Sequence, residues 1–397
     1  MVRCVRAPGP GYRDKMVFDK TDNGSGAESE GQRTITIGLV ADEGFASTIA
    51  AAIERELPPT ITIDGTDARL DTARPAVTLP PTEAGSAPLG QWLEAIQATN
   101  TFDLVLCISE VPRRVGASPV VAELRDGSTG ALYVPSFGTI GVRRRAVAVA
   151  IAIVHDLLRS DTASRPHLRR SMSKWAPGPD PDGGGERILL TPGMFGRTRM
   201  IMGMIRCNRP WRLVPALSSV LAAASAASAF GVFYASIWQM AASMTPARLT
   251  LIGVAAIVAI TVWLIFPHGL WEHRRFRSST TDRWIYNSAT LGTVVAGVLC
   301  MYAVLFAVVL LSAAVVISPE FLTAQIGREA NTADYLSLAW LAASLGTVAG
   351  AVGSSVSDRS DILNATYGHR EMLRRQHSAE RSRTDDAGSE QFSKAQS

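Results

Sequence analysis

Residues 289–317 read ATLGTVVAGVLCMYAVLFAVVLLSAAVVI, an unbroken stretch with no Asp, Glu, Lys, Arg or His. It exceeds the roughly 20 apolar residues a helix needs to cross a bilayer's hydrocarbon. Three further uncharged runs surround it, at Leu213–Met240, Leu249–Phe266 and Tyr335–Val356. Any one of them alone would pass for a buried helix of a soluble domain. Four in succession predict an all-α bundle of four transmembrane helices. The whole chain agrees with this: of 397 residues, 47% are apolar and only 19% charged, against about a quarter charged in soluble domains. A wholly soluble protein and a wholly disordered one are both excluded.

Orientation follows from the arginines, because cytoplasmic flanks of spans carry the excess of positive charge. Arg197, Arg199, Arg206, Arg209 and Arg212 precede the first run, and only Arg248 follows it. Arg274, Arg275, Arg277 and Arg283 follow the second run. Arg328 stands among Glu320, Glu329 and Asp334 after the third, and six arginines from Arg359 to Arg383 follow the fourth. The alternation predicts a multi-pass protein of the bacterial inner (plasma) membrane with both ends cytosolic. Trp211, Trp238, Trp263, Trp271 and Trp284 sit near span ends, as an aromatic belt requires. The basic residues comprise 35 Arg and 4 Lys. Arg has GC-rich codons and Lys AT-rich ones, which points to a high-GC, actinobacterial genome.

Upstream, residues 34–159 predict a cytosolic α/β domain, a small open sheet covered by helices. Thr34–Ala41 and the buried run Phe102–Ser109 read as central strands. Phe45, Ile49, Ile53 and Leu57 recur every four residues, so a helix follows the first strand and ends at Pro58-Pro59. Thr60–Ile63 and Ala76–Leu79 predict short strands, Leu89–Thr99 a helix, Val120–Leu124 and Ala131–Pro135 a hairpin, and Val142–Leu158 a long helix. Residues 1–33 predict a disordered leader, and 160–193 a flexible linker in which Pro177–Gly185 forms neither helix nor strand. Residues 194–211 mix Met and Ile with arginines, which suits a helix lying in the membrane interface. Residues 358–397 predict a cytosolic tail, disordered after about residue 376.

Ligands of open α/β sheets bind beyond the carboxyl ends of the strands. Three loops are candidates there: Asp42-Glu43-Gly44, then Glu110 to Arg113 and Arg114, then Ser136-Phe137-Gly138-Thr139-Ile140-Gly141. The last opens a helix whose first turn holds Arg143, Arg144 and Arg145. Cations oppose the helix dipole at that end, so an anionic small molecule, nucleotide or folate-like, would relieve the conflict. The other reading sends these arginines to solvent or to anionic lipid headgroups. Arg197, Arg199, Arg206, Arg209, Trp211 and Arg212 are expected to face those headgroups. In the fourth span, Gly346, Gly350 and Gly353 let helices approach closely, either inside the bundle or in a homodimer through that span.

No catalytic residue, cofactor or metal site is assigned. The four cysteines lack metal-ligand spacing, residues 21–173 contain no lysine, and no phosphate-binding glycine motif follows the first strand. A net charge of +4 does not suggest nucleic acid as a partner. The spans carry no ionisable side chain, which argues against an ion-coupled transporter. A cytosolic domain with a sensing, scaffolding or partner-binding role, reading an unknown cytosolic protein, is the first expectation. A membrane-tethered enzyme or anion binder is the second, and a small transporter or channel the third.

Asn208-Arg-Pro-Trp-Arg-Leu-Val-Pro215, Ser236-Ile-Trp-Gln239, His268-Gly-Leu-Trp-Glu272 and Leu338–Gly350 resemble a poorly characterised group of actinobacterial four-span membrane proteins with an amino-terminal α/β domain. The resemblance covers most of residues 34–375. Members of that group are sometimes labelled methylenetetrahydrofolate dehydrogenase, a family whose catalytic lysine closely follows a tyrosine. Tyr133 has no lysine near it, and Tyr12 with Lys15 lies in the leader at another spacing. The residues therefore do not support that label.

Overall fold

Thr34–Ala41 (β1) and Leu104–Ser109 (β4) pair in parallel at the centre of the amino-terminal sheet. Their side chains alternate between two buried faces: Ile37, Leu39, Leu106 and Ile108 join one apolar cluster, and Val40, Val105 and Cys107 another. Burial on both faces explains why these strands read as continuous apolar runs. The computed structural model describes residues 33–353, apart from 64–65, 76–92, 94–95, 126–127, 159–173, 178–186, 192, 267–269 and 272–279.

Nine described strands form one mixed sheet. Thr66–Ala73 (β3), β1, β4 and Thr129–Tyr133 (β7) are its parallel core. Thr60–Ile63 (β2) closes one edge, antiparallel to β3. On the other side, Ser118–Arg125 (β6) runs antiparallel to β7 and carries the short strand Arg113–Val115 (β5). Helices Phe45–Glu56 (α1) and Val142–Leu158 (α2) bury Ile49, Ile53, Val147 and Ile153 against one face. Leu93 and Ile96 cover the other.

The sheet continues beyond the predicted domain boundary. Arg187–Leu190 (β9) pairs with β6, and Lys174–Pro177 (β8) pairs with β9. The expected linker thus supplies two strands, and the domain reaches Leu190. Pro177 is admitted because β8 is an edge strand, where a missing N–H costs no ladder bond. β3 escaped the sequence reading because TDARLDTA lacks an apolar run. The leader, the tail, the Ala76–Leu79 strand and most of Leu89–Thr99 lie outside the described residues.

Met194–Cys207 (α3) leads out of the sheet, and helices occupy the remainder of the described chain. Leu213–Ala216 (α4), Ser218–Phe233 (α5) and Ala235–Ser243 (α6) replace the first predicted span. That run is interrupted twice, at Leu217 and at Tyr234, whose ψ of 110° is extended. The axes on either side of Leu217 meet at 55°. Pro246–Ile265 (α7) and Thr332–Gly353 (α10) match the second and fourth runs. Thr280–Val316 (α8) extends nine residues before the third, and Pro319–Ile326 (α9) follows it. Three helices are long and apolar enough to cross a bilayer, and a fourth crossing is completed only if the bent pair counts as one. At about 1.5 Å per residue α8 is about 55 Å long, which exceeds a hydrocarbon layer of about 30 Å.

Candidate functional site

β1, β4 and β7 are parallel neighbours, so the three candidate loops emerge along one edge of the sheet. Chain-internal bonds already engage much of what they carry. Asp42 is buried, and its carboxylate accepts from the Ser109 hydroxyl at 3.0 Å and from the Glu110 N–H at 2.7 Å. Glu110, also buried, accepts from the Ala46 N–H at 2.8 Å. It is therefore a carboxylate placed at the amino end of α1, where the helix dipole favours negative charge. Gly44 makes the contact feasible: its φ is 136°, and a Cβ there would stand 2.5 Å from Glu110 Oε1. The sequence places Glu110 only in the second candidate loop, and its capping role is not visible there because Ala46 lies 64 residues away.

Arg113 does not face outward with this group. It pairs with Glu123 at 2.9 Å, and the same carboxylate accepts from Arg125 and from the Tyr133 hydroxyl, each at 2.8 Å. Glu123 is only 2% exposed. Two guanidiniums and a phenol thus satisfy one buried charge, as burial demands. Burial, and then the Glu123 carboxylate, push the Tyr133 phenol well above the usual tyrosine range. Arg114 donates to the Gly116 carbonyl.

The third loop divides into a covered and an open part. Ser136 is buried and donates to the Val120 carbonyl at 2.6 Å. Gly138 has a φ of 76°, and a Cβ on it would lie 2.7 Å from Arg199 Cγ. Ile140 is 84% exposed, Thr139 and Gly141 lie at the surface, and Arg143 reaches across to Glu56 at 2.7 Å. Arg144 is exposed, and Arg145 donates to the Ile140 carbonyl.

Helix α3 lies across this edge. Gly196 touches the Thr191 carbonyl and Gly203 the Pro135 carbonyl so closely that a Cβ at either would collide. Arg197 donates to Ala117 at 3.1 Å, and the Arg206 guanidinium stacks over the Phe45 ring at 4.7 Å. The helix therefore runs from the ends of β9 and β6, past the turn after β7, to the loop after β1. Its other flank packs on the start of α8, where Met200 and Met204 meet Ile285, Tyr286 and Ala289. Further along, Gly292 admits Ile205, and Gly297 admits Leu213 and the Pro210 carbonyl. Segment 194–211 thus packs on the sheet edge along one flank and on α8 along another, while Met194, Phe195 and Met202 stay exposed. Its arginines differ in consequence. The Nε atoms of Arg199 and Arg206 are buried without a hydrogen-bond partner among the described residues. Burial, and then the neighbouring Arg145, lower the Arg199 pKa. Arg212 and Trp211 are exposed, and Arg209 takes a left-handed turn with φ of 51°.

The glycines of the fourth run are engaged within the chain. A Cβ at Gly346 would strike Ser228 and Ala224, and one at Gly350 would lie 2.7 Å from Ala224 Cβ and 2.8 Å from the Val220 carbonyl. The Ser228 hydroxyl donates to the Ala342 carbonyl at 3.1 Å. Gly353 ends α10. Among the described residues no cluster of three or more His, Cys, Asp or Glu side chains is placed to hold a metal ion.

Comparison with protein-family models, curated proteins and solved structures finds no match. The function is therefore read from this geometry.

Proposed function

We propose that this chain is an integral inner-membrane protein whose cytosolic α/β domain senses or scaffolds a partner and is coupled to the membrane helices through α3. The observation that carries the reading is the double seating of α3, glycine to carbonyl on the sheet and glycine to side chain on α8. A tether would need no such fit. A helix held by both bodies transmits displacement from one to the other, as packed elements with few alternative arrangements do. Apolar residues at both ends of the bundle support the orientation. Leu213, where the chain enters, and Ala351, near its described end, share one cluster with Leu264 and Val294. Entry and exit on the same side agree with the arginine alternation. A cysteine at Ile140 should react with an impermeant thiol reagent only after the cells are opened, and one at Arg328 should react in intact spheroplasts. The reverse pattern would overturn the orientation.

The anion-binding alternative survives in a narrower form at the open rim, where Arg143, Arg144, Arg145 and Arg199 gather. Arg199 lacks a partner for Nε and is opposed by Arg145. Because α3 turns this edge towards the apolar helices, the first anion these arginines meet is a lipid phosphate. In nanodiscs, anionic lipid should raise the thermal midpoint of the protein by mass action. The Arg143→Glu, Arg144→Glu double variant should lose that gain, and added salt should weaken it. A midpoint indifferent to lipid charge would remove this alternative.

A further inference from the structure

Exposed apolar side chains of the sheet domain and α3 gather on one surface. Among the described residues before Trp211, the large apolar side chains left exposed are Ile140, Trp175, Met194, Phe195 and Met202. All but Trp175 belong together. Phe195, Arg199 and Met202 stand one turn apart on one side of α3, and Met194 precedes Phe195. The loop that carries Ile140 meets the same side, since a Cβ at Gly138 would lie 2.7 Å from Arg199 Cγ. A contiguous apolar surface rimmed by charge marks a binding face.

Charge and position say what fits it. The two segments that build the surface, 134–155 and 187–216, contain no Asp or Glu. Arg144 is exposed, and Arg145 is near enough to Arg199 to lower its pKa further once burial has done so. A second copy of this chain would bring like charges together, which costs free energy. The hydrocarbon of a bilayer stands too far away. α3 and α8 run side by side in one direction: Met200 and Met204 pack with Ile285 and Ala289, Ile205 meets Gly292, and Leu213 meets Gly297. The end of α7 nearest the sheet domain, Leu264 and Ile265, shares a cluster with Val294. From Val294 to Ile285 is about 13 Å of helix, and Phe195 lies about 7 Å further out than Met200. The apolar surface is therefore about 20 Å past the end of α7, whose length of about 30 Å already matches the hydrocarbon. A lipid phosphate within reach of the arginines would leave Ile140 and Phe195 uncovered.

We infer that this surface docks an acidic amphipathic helix of a cytosolic protein. The apolar stripe of that helix covers Ile140, Phe195 and Met202, as in other complexes that lay a helix on an apolar face. Its carboxylates meet Arg144, Arg145 and Arg199, which sets register and speeds encounter. The inference rests on the reading of the domain as one that recruits a partner, and it names that partner's chemistry.

The test uses the full chain in nanodiscs and three fluorescent peptides of one length. The first carries Leu every three to four residues flanked by Glu, the second has Lys for each Glu, and the third has Ser for each Leu. Anisotropy titrations should show the first binding at least about ten-fold more tightly than either other, with salt weakening it. Phe195→Ser and Arg199→Gln should each weaken it about five- to ten-fold. Ile140→Ser, on an exposed loop, should do the same without disturbing the seating of α3. Equal affinity for the acidic and basic peptides, no binding below about 1 mM, or affinity unchanged in these variants overturns the docking face. Quenching of a fluorophore on an Ile140→Cys variant by lipid with nitroxide-labelled chains also overturns it and gives the surface to the bilayer. Peptide binding that leaves hydrogen exchange over residues 283–293 unchanged would instead overturn coupling through α3, with the docking face still standing.

Discussion

Glu123 shows how much of the sheet domain depends on single polar residues. Its carboxylate, buried under β6, is held by Arg113, Arg125 and Tyr133. Removing one donor leaves the others in place but strands part of a buried charge. Tyr133→Phe should therefore cost about 1–3 kcal/mol, read as a lower thermal midpoint of the domain transition. The same pair sets a pH dependence. The folded-state pKa of Tyr133 lies well above the ordinary tyrosine value, so the folded state holds its proton more tightly than the unfolded one. That contribution is complete below about pH 10 and is lost as pH rises through the folded pKa. Thermal midpoints of the wild-type protein should fall from pH 9 to pH 11, and Tyr133→Phe should flatten that fall. An identical fall in both proteins would mean that another group governs it. None of this network was legible in the sequence. Arg113 reads there as a loop arginine open to an anion, because pairing across β5 and β6 depends on a hairpin register that the letters do not state. Glu110 was hidden for a similar reason, since its helix lies 64 residues away.

At the scale of elements, glycines decide where helices meet. Gly203 of α3 rests on the Pro135 carbonyl, which is backbone and cannot move aside as a side chain would. Gly203→Val should push α3 off the sheet edge and cost at least about 1–3 kcal/mol. Hydrogen exchange should then rise over residues 134–138 and 194–207 while the central strands stay protected. Protection unchanged in both segments would count against the seating of α3. Gly350→Leu should strike Val220 and Ala224 of α5, lowering the yield of monodisperse protein from detergent, whereas exposed Val352 should tolerate the same change. The small-residue spacing at Gly346 and Gly350 was visible in the sequence, but its target was not. The long apolar helices were the most legible feature, since an uncharged run needs no partner to be recognised. Their breaks at Leu217 and Tyr234 were less so. Neither residue is itself a helix breaker, although Pro215 stands two residues before the first break.

For the molecule as a whole, α3 converts two bodies into one. The parallel core of the sheet was anticipated from β1 and β4, whose apolar runs mark strands buried on both faces. Its extension through β8 and β9 was not, because short strands beside a Pro- and Gly-rich stretch carry little local signal. The candidate loops share one edge, as their parallel strands require, and α3 packs against that edge at Pro135 and Gly138 while Ile140 and Arg144 stay exposed. Apolar and basic residues interleaved along 194–211 suit a helix in the membrane interface. The same pattern serves a helix that buries methionines against α8 and stacks an arginine on Phe45. The central claim is therefore that α3 spans the sheet edge while packed on the apolar helices. Phe45 and Arg206, in contact through ring and guanidinium, test it most directly. With both replaced by cysteine, a protease site inserted among residues 178–186 and a short bismaleimide applied to native membranes, the two cleaved fragments should remain covalently joined. A control pair at Phe45 and Arg328 should separate on cleavage. Separation of the Phe45 and Arg206 pair to the same extent as the control would contradict the account.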